Sequence, residues 1–334
     1  MDDLKEVFDL VTKRAEPDRD AWAQQERRQR QAATHRRGGA LAAAAVILLF
    51  AVGAAVLVGR SHATLATPAS SGGPNAGTEI EKYELSIGGG SLSPFVPSIG
   101  RPDAYWYRYS PDGSAIAFAQ PDGAGVDQIW VMDADGSHAR QLTSGPQRSS
   151  APAWAPDGTT IAFQRTTANG QNTAIFTLDT ATGDIARVTQ LSDHAQLPTW
   201  SPHGRRIAFE WKGSVMVVDL ASGEVRALIG SSAVQPVWAS SGEIAWVSDP
   251  LAALQIQRAD GDGSDRRIIA TGNISWPHWS PDGTKLSYDV CETDDGPCSA
   301  WIYDMATGTS RRAAHGIGQI SWKDDDTLIA QAQA

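Results

Sequence analysis

Apolar residues follow three successive patterns along this chain. Over residues 1 to 16, MDDLKEVFDLVTKRAE, Leu4, Val7, Phe8 and Val11 recur at helical spacing and Pro17 ends the run, which predicts a short amphipathic helix. Residues 39 to 59, GALAAAAVILLFAVGAAVLVG, are apolar without a charged side chain, long enough as a helix to cross a bilayer core of about 30 Å. From residue 79 onward the pattern changes to short runs in which apolar and polar positions alternate, separated by Gly, Pro, Asp and Ser. Those runs predict strands joined by tight turns.

The strand region is periodic on a larger scale. YSPDG (109 to 113), WAPDG (154 to 158), WSPHG (200 to 204) and WSPDG (279 to 283) repeat one aromatic-turn unit, with weaker echoes at WASSG (238 to 242) and WKDDD (322 to 326). The aromatic positions Tyr109, Trp154, Trp200, Trp238, Trp279 and Trp322 are 45, 46, 38, 41 and 43 residues apart. Each is followed by an apolar strand such as AIAFAQ (115 to 120) or TIAFQR (160 to 165). A second strand then leads into an Asp/Gly turn, as in IWVMDADG (129 to 136), and a last strand closes most units. Repeats of this length built from short strands are the signature of a β-propeller, so the chain is read as all-β with six blades. Twelve residues after Trp322 do not complete a blade. EIEKYELSIGGGSLSPFVP, residues 79 to 97, reads as strand, turn and strand without an aromatic turn of its own, and the two ends are expected to share the closing blade.

The 334 residues are 41% hydrophobic, enough for a large core, and their formal charge of −10 argues against a nucleic-acid partner. That excess lies after residue 37, because residues 1 to 37 hold nine Lys/Arg and eight Asp/Glu. Arg27, Arg28, Arg30, Arg36 and Arg37 precede the apolar segment and only Arg60 follows it closely, which places the N-terminus in the cytoplasm and the strand region outside. The expected layout is a cytoplasmic basic helical tail (1–38), a single transmembrane helix (39–59), a Pro/Gly/Ser-rich linker (60–78) and an extracytoplasmic propeller (79–334) in the cell membrane. A buried core helix and a cleavable signal peptide are the alternatives for residues 39 to 59. Cys291 and Cys298 flank a turn between two strand-like runs. An oxidising compartment favours a disulfide there, two free thiols being the alternative.

WSPDGTKLSYDV, WAPDGTTIAFQR, YSPDGSAIAFAQ and IWVMDADGSHARQLT resemble the repeats of the TolB-type, WD-like β-propeller family. The resemblance covers residues 79 to 334 and departs at WSPHG, WASSG and WKDDD. It implies a six-bladed propeller, and the anchored layout is similar to that of proteins from high-GC Gram-positive bacteria. Related blades precede serine peptidase domains in the prolyl oligopeptidase group, but no G-x-S-x-G elbow occurs.

No nucleophile, base and orienting group assemble from the sequence, so no catalytic residue, cofactor or metal is expected; the carboxylates of ADGDGSD (259 to 265) and KDDD (323 to 326) are spaced as Ca2+ ligands can be, with metal-free turns as the favoured reading. Ligands on propellers sit over the central channel, contacted by the segments that lead into the innermost strands. Those segments nominate Arg148, His194, Gln196, Gln235, Asn273, Trp276 and Gln319. The expected function is a non-enzymatic, membrane-anchored module that binds a protein or envelope ligand at the propeller mouth. The alternative is an anti-sigma-like transmembrane regulator whose tail, through Leu4, Val7, Phe8 and Val11, binds a cytosolic factor; a lyase or hydrolase is third. For the tail stripe, a helix lying on the inner membrane surface remains the other reading.

Overall fold

In the computed structural model, residues 82–87, 92–94, 103–166, 172–189, 194–230, 232–248, 253–258, 265–292 and 297–332 are described. The tail, apolar segment and linker expected over residues 1–78 lie outside them, as do Leu4, Val7, Phe8 and Val11. Among the described residues every regular element is a strand, and no helix is long and apolar enough to cross a membrane.

Among the described residues, twenty-four strands make six four-stranded antiparallel sheets. Strands β1 (Lys82–Ser86) and β2 (Leu92–Pro94) come first in the chain. Blade 1 is β3 (Tyr105–Tyr109), β4 (Ala115–Pro121), β5 (Asp127–Asp133) and β6 (Arg140–Gln141). Blade 2 is β7 (Arg148–Trp154), β8 (Thr160–Thr166), β9 (Thr173–Asp179) and β10 (Ile185–Arg187). Blade 3 is β11 (Ala195–Trp200), β12 (Arg206–Trp211), β13 (Ser214–Asp219) and β14 (Val225–Ile229). Blade 4 is β15 (Ala233–Trp238), β16 (Glu243–Ser248), β17 (Ala253–Arg258) and β18 (Arg267–Thr271). Blade 5 is β19 (Ile274–Trp279), β20 (Lys285–Cys291), β21 (Cys298–Asp304) and β22 (Thr309–His315). The last two strands, β23 (Ile317–Asp324) and β24 (Thr327–Ala332), join the first two in the order β2-β1-β24-β23. The register runs from Lys82↔Gln331 to Ser86↔Thr327. The shared closing blade expected from the two incomplete ends is therefore present, and it makes the ring a six-bladed β-propeller.

The second strand of each blade is covered on both faces, which explains its nearly continuous apolar sequence. Ile116, Phe118, Ile161, Phe163, Ile207, Phe209 and Ile244 are fully buried, and Ala117, Ala162, Ala208 and Ala245 alternate with them without exposure. Small and large residues in alternation let neighbouring sheets interlock at the density of a packed core.

The repeated turn has a defined chemistry. In the first one, Ser110 Oγ donates to Asp112 Oδ1 at 2.6 Å, the Ala115 amide donates back to Ser110 Oγ at 2.9 Å, and Gly113 takes the left-handed backbone (φ 72°). Ser280, Asp282 and Lys285 reproduce the same bonds in blade 5. The WKDDD segment docks here: the Asp282 amide donates to Asp325 Oδ1 at 2.9 Å, so that carboxylate serves as a turn cap.

The recurring tryptophan has a second role besides packing. Trp154 Nε1 donates to the Arg108 carbonyl (3.0 Å), Trp200 to Ala153 (3.0 Å), Trp279 to Val237 (3.2 Å) and Trp322 to His278 (2.9 Å). Each acceptor lies one residue before the repeat aromatic of the preceding blade, so the indoles stitch successive inner strands together. Trp238 is the exception, with a buried Nε1 that has no hydrogen-bond partner.

Cys291 and Cys298 lie opposite one another at the end of the β20–β21 ladder, with Cα atoms 3.9 Å apart, and are joined by a disulfide.

Trp200→Phe and Trp238→Phe delete the same atoms, but only the first removes a made hydrogen bond. Chemical denaturation should show Trp200→Phe less stable than Trp238→Phe by about 1 kcal/mol. Equal losses would mean that the indoles act through packing alone.

Candidate functional site

Every inner strand breaks its own ladder near its middle, and β23 does so a second time between Trp322 and Asp324. The register shifts fall between Tyr105 and Arg108, Ser150 and Ala153, Gln196 and Thr199, Val234 and Val237, Ser275 and His278, and Gly318 and Ser321. In five of these bulges the first extra residue is a left-handed non-glycine: Trp106 (φ 59°), Ala151 (51°), Leu197 (54°), Gln235 (54°) and Trp276 (53°). All five stand three residues before the repeat aromatic, the position that Gln319 occupies in β23. Positive φ is unfavourable for side chains of this size, so five copies in one ring are held by their surroundings.

Part of that hold is a set of bonds between blades. The Leu197 amide donates to Gln164 Oε1 of blade 2 (3.0 Å), the Gln235 amide to Glu210 Oε2 of blade 3 (3.1 Å), and the Trp276 amide to Gln235 Oε1 of blade 4 (2.7 Å). Amides released from their own ladders are thus accepted by the preceding blade. Glu210 also receives Gln196 Nε2 at 2.9 Å and is 1% exposed. Burial raises its pKa to about 6 against the opposing effect of these two donors.

From the bulges toward the aromatic turns runs a central cavity of about 490 Å³. Its wall contains Trp106, Ala151, Leu197, Gln235 and Trp276 from the bulge column. A second column, two residues further on, adds Arg108, Ala153, Thr199, Val237, His278 and Ser321. Trp106 of blade 1 and Trp276 of blade 5 meet edge-to-face across the position of blade 6, ring centroids 4.8 Å apart. Arg108 lies over the Trp106 ring at 5.6 Å, and its Nη2 is 3.2 Å from His278 Nε2. Burial, then the Arg108 charge, holds the His278 pKa well below its usual value, so the imidazole is neutral and Nε2 accepts the bond.

The residues nominated from the sequence divide between two levels. Gln235 and Trp276 line the cavity. Gln319 shares their column in β23. Arg148, His194, Gln196 and Asn273 lie at or just before the upstream ends of their strands and are not part of the cavity wall. Arg148 is held by Asp127, which is 6% exposed, and Gln196 by Glu210. Sequence reasoning did not single out Arg108, Leu197 or Glu210. The first two would have emerged from writing the six repeats under one another and reading the third and first positions before each aromatic. Among the described residues no three His, Cys, Asp or Glu side chains cluster in a way that could hold a metal ion.

Residues 104–249 match the sequence pattern of the TolB beta propeller domain. This chain carries a TolB-like β-propeller. The Tol-Pal system protein TolB of Anaeromyxobacter dehalogenans is 48% identical over 60 residues, 18% of this chain and 14% of that protein. A protein TolB homolog of Chlorobium luteolum is 30% identical over 207 residues, 61% of this chain and 37% of its own length. The chain thus spans much less than half of the curated relatives it matches. Among solved structures, a TolB-type protein from Agrobacterium tumefaciens superimposes with a TM-score of 0.63 at 16% identity, covering 78% of this chain and 100% of that one, which supports the fold alone.

Because its folded pKa lies above the ordinary value of 4.5, Glu210 makes the native state bind the extra proton. Its contribution is greatest in acid, declines as pH rises from about 4.5 to about 6 and is constant above, a span of about 2 kcal/mol. Unfolding free energies of the protein and of Glu210→Gln across this range should differ by a pH-dependent term of that size and sign. Parallel profiles would show that Glu210 titrates normally.

Proposed function

We propose that the protein is a non-enzymatic, membrane-anchored extracytoplasmic binding module whose propeller holds a protein partner or envelope ligand. The observation that carries this reading is the closed six-bladed ring with a cavity whose wall is mainly Trp, Pro and small residues around a few polar side chains. Such a site offers contact area and shape, which is what a binding module needs. The relatives named as Tol-Pal system proteins point in the same direction, toward a role as one component of a multi-protein system. Anchoring rests on the uninterrupted apolar run at residues 39–59 and the arginines before it.

A second reading, a transmembrane regulator, draws on the apolar stripe Leu4, Val7, Phe8 and Val11 in the cytoplasmic tail. Crosslinking capture from native membranes separates the two. The full protein, a form lacking residues 1–16 and an anchor-and-tail form carrying residues 1–78 would be compared by mass spectrometry. The binding-module reading expects envelope proteins with the first two and none with the third. A cytosolic factor lost together with residues 1–16 would favour the regulator instead. Steady turnover of an envelope substrate, abolished by one substitution in the cavity, would replace both with an enzyme.

A further inference from the structure

Arg108 is set apart from the other charged groups around the cavity. Among the described residues the cavity wall contains no Asp or Glu, although the chain as a whole has a formal charge of −10. The other cation in the wall, Lys323, is neutralised by Glu84 Oε1 at 2.7 Å. Arg108 has no carboxylate partner among the described residues. Its Nη1 donates to the Tyr107 carbonyl at 2.8 Å and its Nη2 to the neutral His278, leaving the rest of the guanidinium donors without a protein acceptor there.

A cation in this position is costly. Burial lowers the Arg108 pKa to about 10, no anionic neighbour acts in the opposite direction, and the group still carries its charge at neutral pH. The neighbours fix its position nonetheless. His278 accepts one N–H and the Trp106 ring faces the guanidinium. Around this charge the wall is apolar and aromatic. Trp106 and Trp276 stand at bulge level, and Pro152, Pro198, Pro236 and Pro277 each follow a left-handed residue. The site therefore combines a preoriented guanidinium that has no carboxylate partner among the described residues with a surface suited to a ring or aliphatic group.

We propose that this cavity binds a carboxylate carried on an aromatic or aliphatic body, the carboxylate on Arg108 and the body against Trp106 and Trp276. Such a group is presented by the C-terminal residue of a polypeptide or by a free aryl-alkyl acid. The inference rests on the binding-module reading and gives it a ligand chemistry.

Isothermal titration of the purified full chain with Gly-Gly-Phe, its C-terminal amide and 3-phenylpropionate tests the proposal without altering the protein. The free-acid peptide should bind at least about tenfold more tightly than the amide. The Arg108→Met variant, with its unfolding midpoint measured alongside, should lose that preference, and Arg108→Lys should retain part of it. Tighter binding of the peptide acid than of 3-phenylpropionate would identify a polypeptide C-terminus as the source, and the reverse a free acid. Equal binding of acid and amide, or no heat from any probe up to about 10 mM, would overturn the proposal. If membrane capture yields an ectodomain partner whose retention Arg108→Met leaves unchanged, the binding-module reading stands and the carboxylate site falls.

Discussion

The bond from an indole N–H to the carbonyl beside the previous blade's aromatic is the constraint on which the propeller's interior depends. A propeller has no helix or crossover to hold its sheets at a fixed offset; the blades could slide along one another while keeping much of their apolar contact. Four directional bonds of 2.9 to 3.2 Å remove that freedom near the axis. They explain why the repeat demands Trp where any large apolar residue would fill the volume. Blade 1, where Tyr109 stands in the series, takes part only as the acceptor for Trp154 through Arg108, and the Tyr109 hydroxyl is buried without a hydrogen-bond partner.

Once the inner strands are fixed in this way, the bulges give the axis its chemistry. A regular ladder would pair every inner-strand amide with its own neighbour. The left-handed residues break that pairing, and Gln164, Glu210 and Gln235 accept the released amides across blade boundaries. Local backbone strain and the buried carboxylate of Glu210 are thereby parts of one arrangement. Both costs are offset by a wall in which two columns per strand, those of Trp106 and Arg108 in blade 1, reach the cavity.

The fold was legible in the sequence because its determinants are local and repeated. SPDG turns, I-A-F strands and a fixed aromatic recur often enough that eroded copies such as WASSG and WKDDD still fall into place by spacing. The two unfinished ends gave away the closing blade by what each lacked. The cavity was less legible because its residues are selected by pairings between distant positions. Asp127 holds Arg148 across 21 residues and Glu210 holds Gln196 across 14, so two nominated residues are engaged away from the wall; neither link leaves a local signature. Arg108 and His278 belong to different ends of the repeat array and meet only because the ring closes. Gln235 and Trp276 were found because each precedes a proline in the x-P-x-W pattern, which is the bulge itself seen as sequence.

That closure also imposes an order in time. Tyr83 pairs with Ala330, so the sixth blade cannot be completed until almost the whole described chain has been made. The entropy of bringing such distant segments together grows only slowly with the length between them, but no local contact can meet it in their place. Until then blades 1 and 5 have no blade between them, and the Arg108–His278 contact has no closed ring to hold it. The molecule acquires its axis, and with it any ability to recognise a ligand there, all at once and last.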